Sequence, residues 1–245
     1  MSDLKVEKIT MDELRRQFDG DVERFSNEQT GQTSAVDAPL VLELFETLIS
    51  GMYPSGGRLL DIGCGAGNFS LRIVRKLPQL RLTLLDLSRP MLDRAVERLT
   101  AEGFCVEQTI QADVACVELP ESRFDVVVAA ASLHHLRTQK DWQNVFGMIY
   151  RSLVPGGSFW MSDLVRHESV LVEALQKERY ANYLVGLRDR DYQQRIFESI
   201  DRSDTPETLA FIIRSLEATG FSRIDLIHKN MVFASLAAIK EFDNK

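Results

Sequence analysis

Cysteine is scarce in this chain. Cys64, Cys105 and Cys116 are all it has. They are odd in number, widely spaced and without a CxxC or Cys/His ligand pattern, so neither a disulfide framework nor a metal site is expected. As reduced thiols they serve as small packing groups. No run approaches the roughly 18 uninterrupted apolar residues of a membrane span, and the amino end, charged from residue 3 onward, has no apolar core of a secretory leader. The expectation is a cytoplasmic protein without membrane contact. Positive charge is also short, with 29 Lys and Arg against 36 Asp and Glu for a formal charge of −7. That balance disfavours indiscriminate attraction to phosphate backbones, so a nucleic-acid partner is not expected. With 14 Gly and 7 Pro in 245 residues, low-complexity and collagen-like states are excluded as well.

What is present is ordinary globular composition, 44% apolar and 27% charged, ordered into alternating elements. Residues 1–34 are polar and acidic and read as an N-terminal arm or cap, with a short helix near Met11 to Phe18. From Asp37, Val41, Leu44, Phe45 and Leu48 recur at helical spacing. Arg58 to Ile62 reads as a strand, followed by a glycine cluster and a helix carrying Leu71, Val74 and Leu77. Leu80 to Leu85 repeats the strand, closed by Asp86, and Ser88 caps the helix bearing Leu92, Ala95, Val96 and Leu99. Further strands are predicted at about 105–112, 124–130 and 158–163. The unbroken FDVVVAA suits a strand covered on both faces. A helix with Trp142, Val145, Phe146, Ile149 and Leu153 on one side is expected to stop at the VPGG of 154–157. Thr205 and Pro206 read as cap and first turn of a helix with Leu209, Ile212, Ile213 and Leu216 inward. Strands at about 221–228 and 231–239 around a Lys229–Asn230 turn make a terminal antiparallel hairpin. The alternation predicts a doubly wound α/β fold on a mostly parallel sheet, spanning 35–245 and broken by a helical insertion at 164–203.

The most informative stretch is LLDIGCGAGNFS, residues 59–70. Strand, then Gly63, Gly65 and Gly67, then helix, with Asp86 ending the next strand, is the layout in which backbone approaches a ligand and a carboxylate accepts both hydroxyls of a ribose. A dinucleotide fingerprint would need a glycine where the chain has Asn68 or Ser70. Asp61 in the loop region repels a diphosphate but attracts a sulfonium or an amine. The sign of that charge favours S-adenosylmethionine over a nicotinamide dinucleotide.

The ordered set LLDIGCGAGNFS (59–70), LTLLDLSRPMLDRA (82–95), QADV (111–114), FDVVVAAASLHHL (124–136) and LVPGGSFWMSD (153–163) resembles the class I S-adenosylmethionine-dependent methyltransferases. The resemblance covers most of 35–240. It implies a seven-stranded, mostly parallel Rossmann-like sheet with its last strand antiparallel, and S-adenosyl-L-methionine as cofactor. It also implies that Asp61, Gly63 and Gly65 lie around the methionine moiety, that Asp86 and Leu87 lie at the ribose, that Asp113 and Val114 lie at the adenine, and that Ala130 lies beside the cofactor. Taken alone, Asp113 reads equally as a solvated strand-end turn, and Asp86 as a helix-capping acid.

Fold and cofactor do not name the acceptor. The stretch after the fourth strand is AAASLHHL, with neither the Asn/Asp-Pro-Pro-aromatic motif of nucleic-acid amino-methylating enzymes nor a Pro-Cys pair. A small-molecule O or N nucleophile is the expectation. His134, past the end of that strand, is the catalytic and substrate-site candidate because an imidazole titrates near neutrality. Tyr180, Tyr183 and Arg195 of the insertion are further substrate-site candidates, arginine suiting a carboxylate or phosphate. The same insertion reads equally as a solvated helix pair or a homodimer surface. In outline the chain also resembles the carboxy-S-adenosylmethionine synthases of tRNA wobble-uridine modification, with Arg195 where that family uses an arginine for a carboxylate. A noncatalytic cofactor-binding protein is the third reading.

Overall fold

The computed structural model describes residues 7–28 and 33–242. The arm forms helices α1 (Met11–Gly20) and α2 (Val22–Ser26), then α3 (Ala38–Met52) leads into the sheet. There follow β1 (Gly57–Ile62), α4 (Asn68–Lys76), β2 (Leu80–Asp86), α5 (Arg89–Ala101), β3 (Val106–Gln111) and β4 (Phe124–Ala130). A 3₁₀ turn at Leu133–His135 precedes α6 (Gln139–Ser152) and β5 (Leu153–Leu164). The insertion is α7 (Val170–Leu187) and α8 (Arg190–Ser203), after which α9 (Leu209–Thr219), β6 (Arg223–Asn230) and β7 (Phe233–Ile239) close the chain.

The sheet runs β3-β2-β1-β4-β5-β7-β6. Its first five strands are mutually parallel, and β7 lies antiparallel between β5 and β6. Val126, Val127, Val128 and Ala129 of β4 have no exposed surface. They feed two cores on opposite faces, one around Trp142, Phe146 and Phe159, the other around Phe45, Val74 and Leu92. A strand buried on both faces needs no alternation, which explains the continuous apolar run. Strand order reverses at β1/β4, and in such sheets a ligand crevice opens at the carboxyl ends beside that reversal.

Four local expectations are corrected. In α3 the buried positions are Val41, Leu42, Phe45 and Ile49, while Leu48 is exposed; a face i, i+1, i+4, i+8 fits the same spacing rotated by one residue. The helix stops before VPGG as expected, at Ser152, but β5 begins at Leu153 rather than at 158, with Phe124 pairing with Leu153 before the register shifts. Thr205 is not the cap of α9. Its N–H donates to the carbonyl of His134 at 2.6 Å, and Thr208 caps the helix instead. The hairpin turns at Met231–Val232 rather than at Lys229–Asn230, with Met231 at φ 46°.

Candidate active site

At the carboxyl edge β1 delivers Asp61 and Ile62 into a loop of three left-handed glycines: Gly63 at φ 67°, Gly65 at φ 50° and Gly67 at φ 83°. Their reasons differ. A methyl group on Gly63 would sit 2.4 Å from Cβ of Ser132, so that position is closed by the loop after β4. A methyl group on Gly65 would meet nothing within 4 Å, because that side faces the cavity. The bare backbone at Gly65 is therefore kept for a ligand rather than for packing.

Asp86 at the end of β2 is 7% exposed. One of its oxygens accepts the Gly65 N–H at 2.8 Å and the other the Ser88 N–H at 2.8 Å. Burial raises its pKa against those bonds. Each oxygen keeps lone pairs for a vicinal diol. Ser88 caps α5 and donates its hydroxyl to Asp19 of the arm at 2.7 Å. Asp61 is fully buried and accepts the Ser70 hydroxyl at 2.7 Å; burial pushes its carboxyl up to about 7, with Asp86 adding to the rise. Farther along, Asp113 accepts the Ala115 N–H at 2.9 Å, a strand-end turn, and with Val114 also lines the cavity. Leu87 and Ala130 lie on the same wall. All eight expected cofactor positions thus border one cavity of about 680 Å³.

The loop after β4 is fixed from below by Asp163, the buried end of β5. Its carboxylate accepts the N–H groups of Leu133 at 2.9 Å, His134 at 3.3 Å and Leu164 at 2.8 Å, and it also holds Nδ1 of His134. Nε2 of His134 lies 3.8 Å from the Asp204 carboxylate. Burial alone lowers an imidazole pKa, but the Asp163 and Asp204 carboxylates outweigh it and raise His134 to about 9. The two carboxylates thus favour the protonated imidazole, which weighs against the proton-acceptor role expected for His134. The His135 ring lies tilted against that of His134, centroids 4.1 Å apart, and burial and the charge of His134 push the His135 pKa down.

The roof comes from two distant segments. Phe18 and Phe25 of the arm and Tyr192, Arg195 and Ile196 of α8 line the cavity. Arg195 makes no hydrogen bond or ion pair with any described residue, and Arg188 at the end of α7 only stacks over Tyr192, 4.8 Å from the ring centroid. Tyr180 is buried and spends its hydroxyl on the Ser34 carbonyl at 2.9 Å while its ring borders the cavity. Tyr183 does not reach the cavity. Its hydroxyl donates to the Thr33 carbonyl at 2.9 Å, so it anchors the end of the arm.

Residues 59–157 match the family described as methyltransferase domain. Over that segment the chain is similar to the methyltransferase domains of class I S-adenosylmethionine-dependent enzymes. It is an enzyme that uses S-adenosylmethionine, and the chemistry of the cradle suits that cofactor: an open glycine backbone, an anchored carboxylate and a buried acid. A carboxy-S-adenosyl-L-methionine synthase of Campylobacter lari is 29% identical over 206 residues, 81% of this chain and 84% of that protein. An uncharacterized methyltransferase of Mycobacterium tuberculosis is 32% identical over 115 residues, 46% of this chain, and the match spans about half, 54%, of that relative. A phosphoethanolamine N-methyltransferase 2 of Haemonchus contortus, solved with S-adenosyl-L-methionine, shares the fold with a TM-score of 0.66 at 19% identity, over 95% of this chain and 60% of that one. Among the described residues of this methyltransferase no helix is long and apolar enough to cross a membrane.

Asp163, Asp204, Ser88 and Phe18 are site residues that sequence reasoning missed. A signal existed for Asp163, which ends a buried strand at the carboxyl edge just as Asp86 does. None existed for Asp204, whose partners are about seventy positions away in sequence.

Proposed function

We propose that the protein methylates an O or N nucleophile on a small acceptor that carries a carboxylate or phosphate. The observation that carries this reading is Arg195, a cation without an acidic partner among the described residues, bordering the same cavity as the Asp86 and Gly65 cradle. A planar fork of donors suits an oxyanion with two oxygens in reach. Bound S-adenosylmethionine supplies a methyl group activated by the sulfonium. The protein's own part is placement. Asp86 holds the ribose, Asp113 and Val114 address the adenine edge, and the backbone of Gly63 and Gly65 with the Asp61 charge seats the cationic end. Arg195 sets the acceptor, and Phe18, Phe25 and Ile196 keep water out. Alignment of two reactants in such a pocket is the larger share of what methyl transfer needs.

The test is a panel of small acids, phosphates, amines and phenols with S-adenosylhomocysteine formation as the readout. Anionic acceptors are expected to be preferred. Arg195→Gln should raise KM for them by roughly 10- to 100-fold, the loss of one charge-assisted bidentate contact, with kcat little changed. Equal turnover of neutral and anionic acceptors would defeat the reading.

A second reading keeps the cofactor and changes the product, to a carboxylated S-adenosylmethionine whose carboxylate is held by Arg195. Its support is the same unpaired guanidinium together with a relative of that name matching along 84% of its length. Mass spectrometry of ligand retained on the protein separates the two, since the added carboxylate makes the cofactor ~44 Da heavier and calls for a cationic partner.

A further inference from the structure

The geometry points to His135, and not His134, as the general base that takes the acceptor's proton through Nε2, with Asp204 as its positioning residue. This rests on the methyl-transfer reading above.

The tautomer follows from the partners. Nδ1 of His135 lies 3.2 Å from the Asp204 carboxylate and 3.3 Å from the backbone carbonyl of Ser203. A carbonyl oxygen only accepts, and an ionised carboxylate only accepts, so Nδ1 must carry the hydrogen. The lone pair is then on Nε2, for which no partner exists among the described residues. The ring borders the cavity, held edge-on by Phe18 of the arm with centroids 5.5 Å apart. A carboxylate fixing one imidazole nitrogen while the other is left bare toward a reactant is the arrangement by which a histidine serves as a base.

The charges around the ring fit that task. The His134 ring lies tilted against it, centroids 4.1 Å apart, with its own Nδ1 on the Asp163 carboxylate. Lys8 and Arg137 approach from the arm and from the start of α6, but are spent on backbone carbonyls, Lys8 on Asp201 and Asp204 and Arg137 on Ser203 and Ile9. These surroundings push His135 below the usual imidazole value and His134 above it. Two like side chains with environments driving their protonation apart are assigned opposite roles. As the acceptor oxygen or nitrogen bonds to the methyl carbon, the carbon–sulfur bond breaks with its electron pair going to sulfur. The acceptor's proton passes to Nε2, and the imidazolium so formed faces Asp204 until water removes the proton.

Nitrogen-15 NMR of the imidazoles, in the full chain loaded with S-adenosylhomocysteine and assigned with His134→Gln and His135→Gln, decides the tautomer without any acceptor. At pH 7 His135 is expected with hydrogen on Nδ1 only and His134 with hydrogen on both nitrogens. Hydrogen on Nε2 of His135, or a charged His135, would overturn the assignment. With the best acceptor from the panel, His135→Gln is expected to lower kcat by roughly 10²- to 10⁴-fold at nearly unchanged affinity for S-adenosylhomocysteine. Asp204→Asn should move the acid limb of the kcat profile rather than only scale it. An intact kcat in His135→Gln refutes the base while leaving methyl transfer standing. The ligand atoms of His134, His135 and Asp204 also lie within 4.8 Å of one another. Activity abolished by a chelator and restored by zinc would therefore replace the base with a metal.

Discussion

At the scale of single residues the site sets two buried acids apart by their surroundings. Asp86 is served by two backbone N–H groups, whereas Asp61 has one hydroxyl, and its carboxyl is pushed up to about 7. For a carboxyl whose folded pKa exceeds its unfolded value, ionisation opposes folding. The penalty is absent below the unfolded value near 3.8, grows as pH rises toward 7 and is constant above it. By linkage it amounts to up to about 4 kcal/mol in the cofactor-free protein. A bound cation beside Asp61 removes the penalty by favouring the charged form. Affinity for S-adenosylmethionine is thus expected to rise with pH up to about 7, by at most about tenfold per unit, and to level off above. Asp61→Asn should flatten that profile and raise the thermal midpoint of the cofactor-free protein at pH 8. Calorimetry from pH 5.5 to 8 and a melting scan at pH 8 check both.

At the scale of elements, the roof helix α1 depends on local chemistry that can be removed cleanly. Thr10 accepts the Glu13 N–H at 3.2 Å and Glu13 returns the bond to the Thr10 N–H at 2.8 Å, a reciprocal cap. Thr10→Ala should weaken α1 by about 1 kcal/mol. Because Asp19 at the other end of α1 holds the Ser88 hydroxyl, faster amide exchange over residues 11–20 is expected even with S-adenosylhomocysteine bound. Elements were also where the sequence was most readable. The glycine loop, Asp86 and the apolar run of β4 are local patterns, and the loop and Asp86 do border one cavity. The errors were made by long-range partners. Thr205 and Pro206 are a sound helix start by local rules, but the Thr205 N–H is claimed by His134, whose neighbourhood was not visible in the sequence. His134 is a sound base by local rules, and it is the distant Asp163 and Asp204 carboxylates that raise its pKa. The early start of β5 was hidden in the same way, because the backbone of Gly156 and Gly157 bonds to Lys240, more than eighty positions away.

At the scale of the whole molecule, the cavity is enclosed by chain that is far apart in sequence. The floor is the sheet edge, and the roof is the arm from one end and α8 from near the other. The arm is tied down across the cofactor side by Asn68 to the Phe25 carbonyl at 2.8 Å and by Ser88 to Asp19. It is tied on the opposite side by Lys8 and Arg137. Release of S-adenosylhomocysteine past this covering is expected to limit turnover. Rapid mixing of enzyme with both reactants should then show a fast first equivalent of S-adenosylhomocysteine followed by a slower steady rate. Loosening the arm through Thr10→Ala should raise that steady rate, which would put the clock of the enzyme in its amino-terminal helices, far in sequence from the glycine loop.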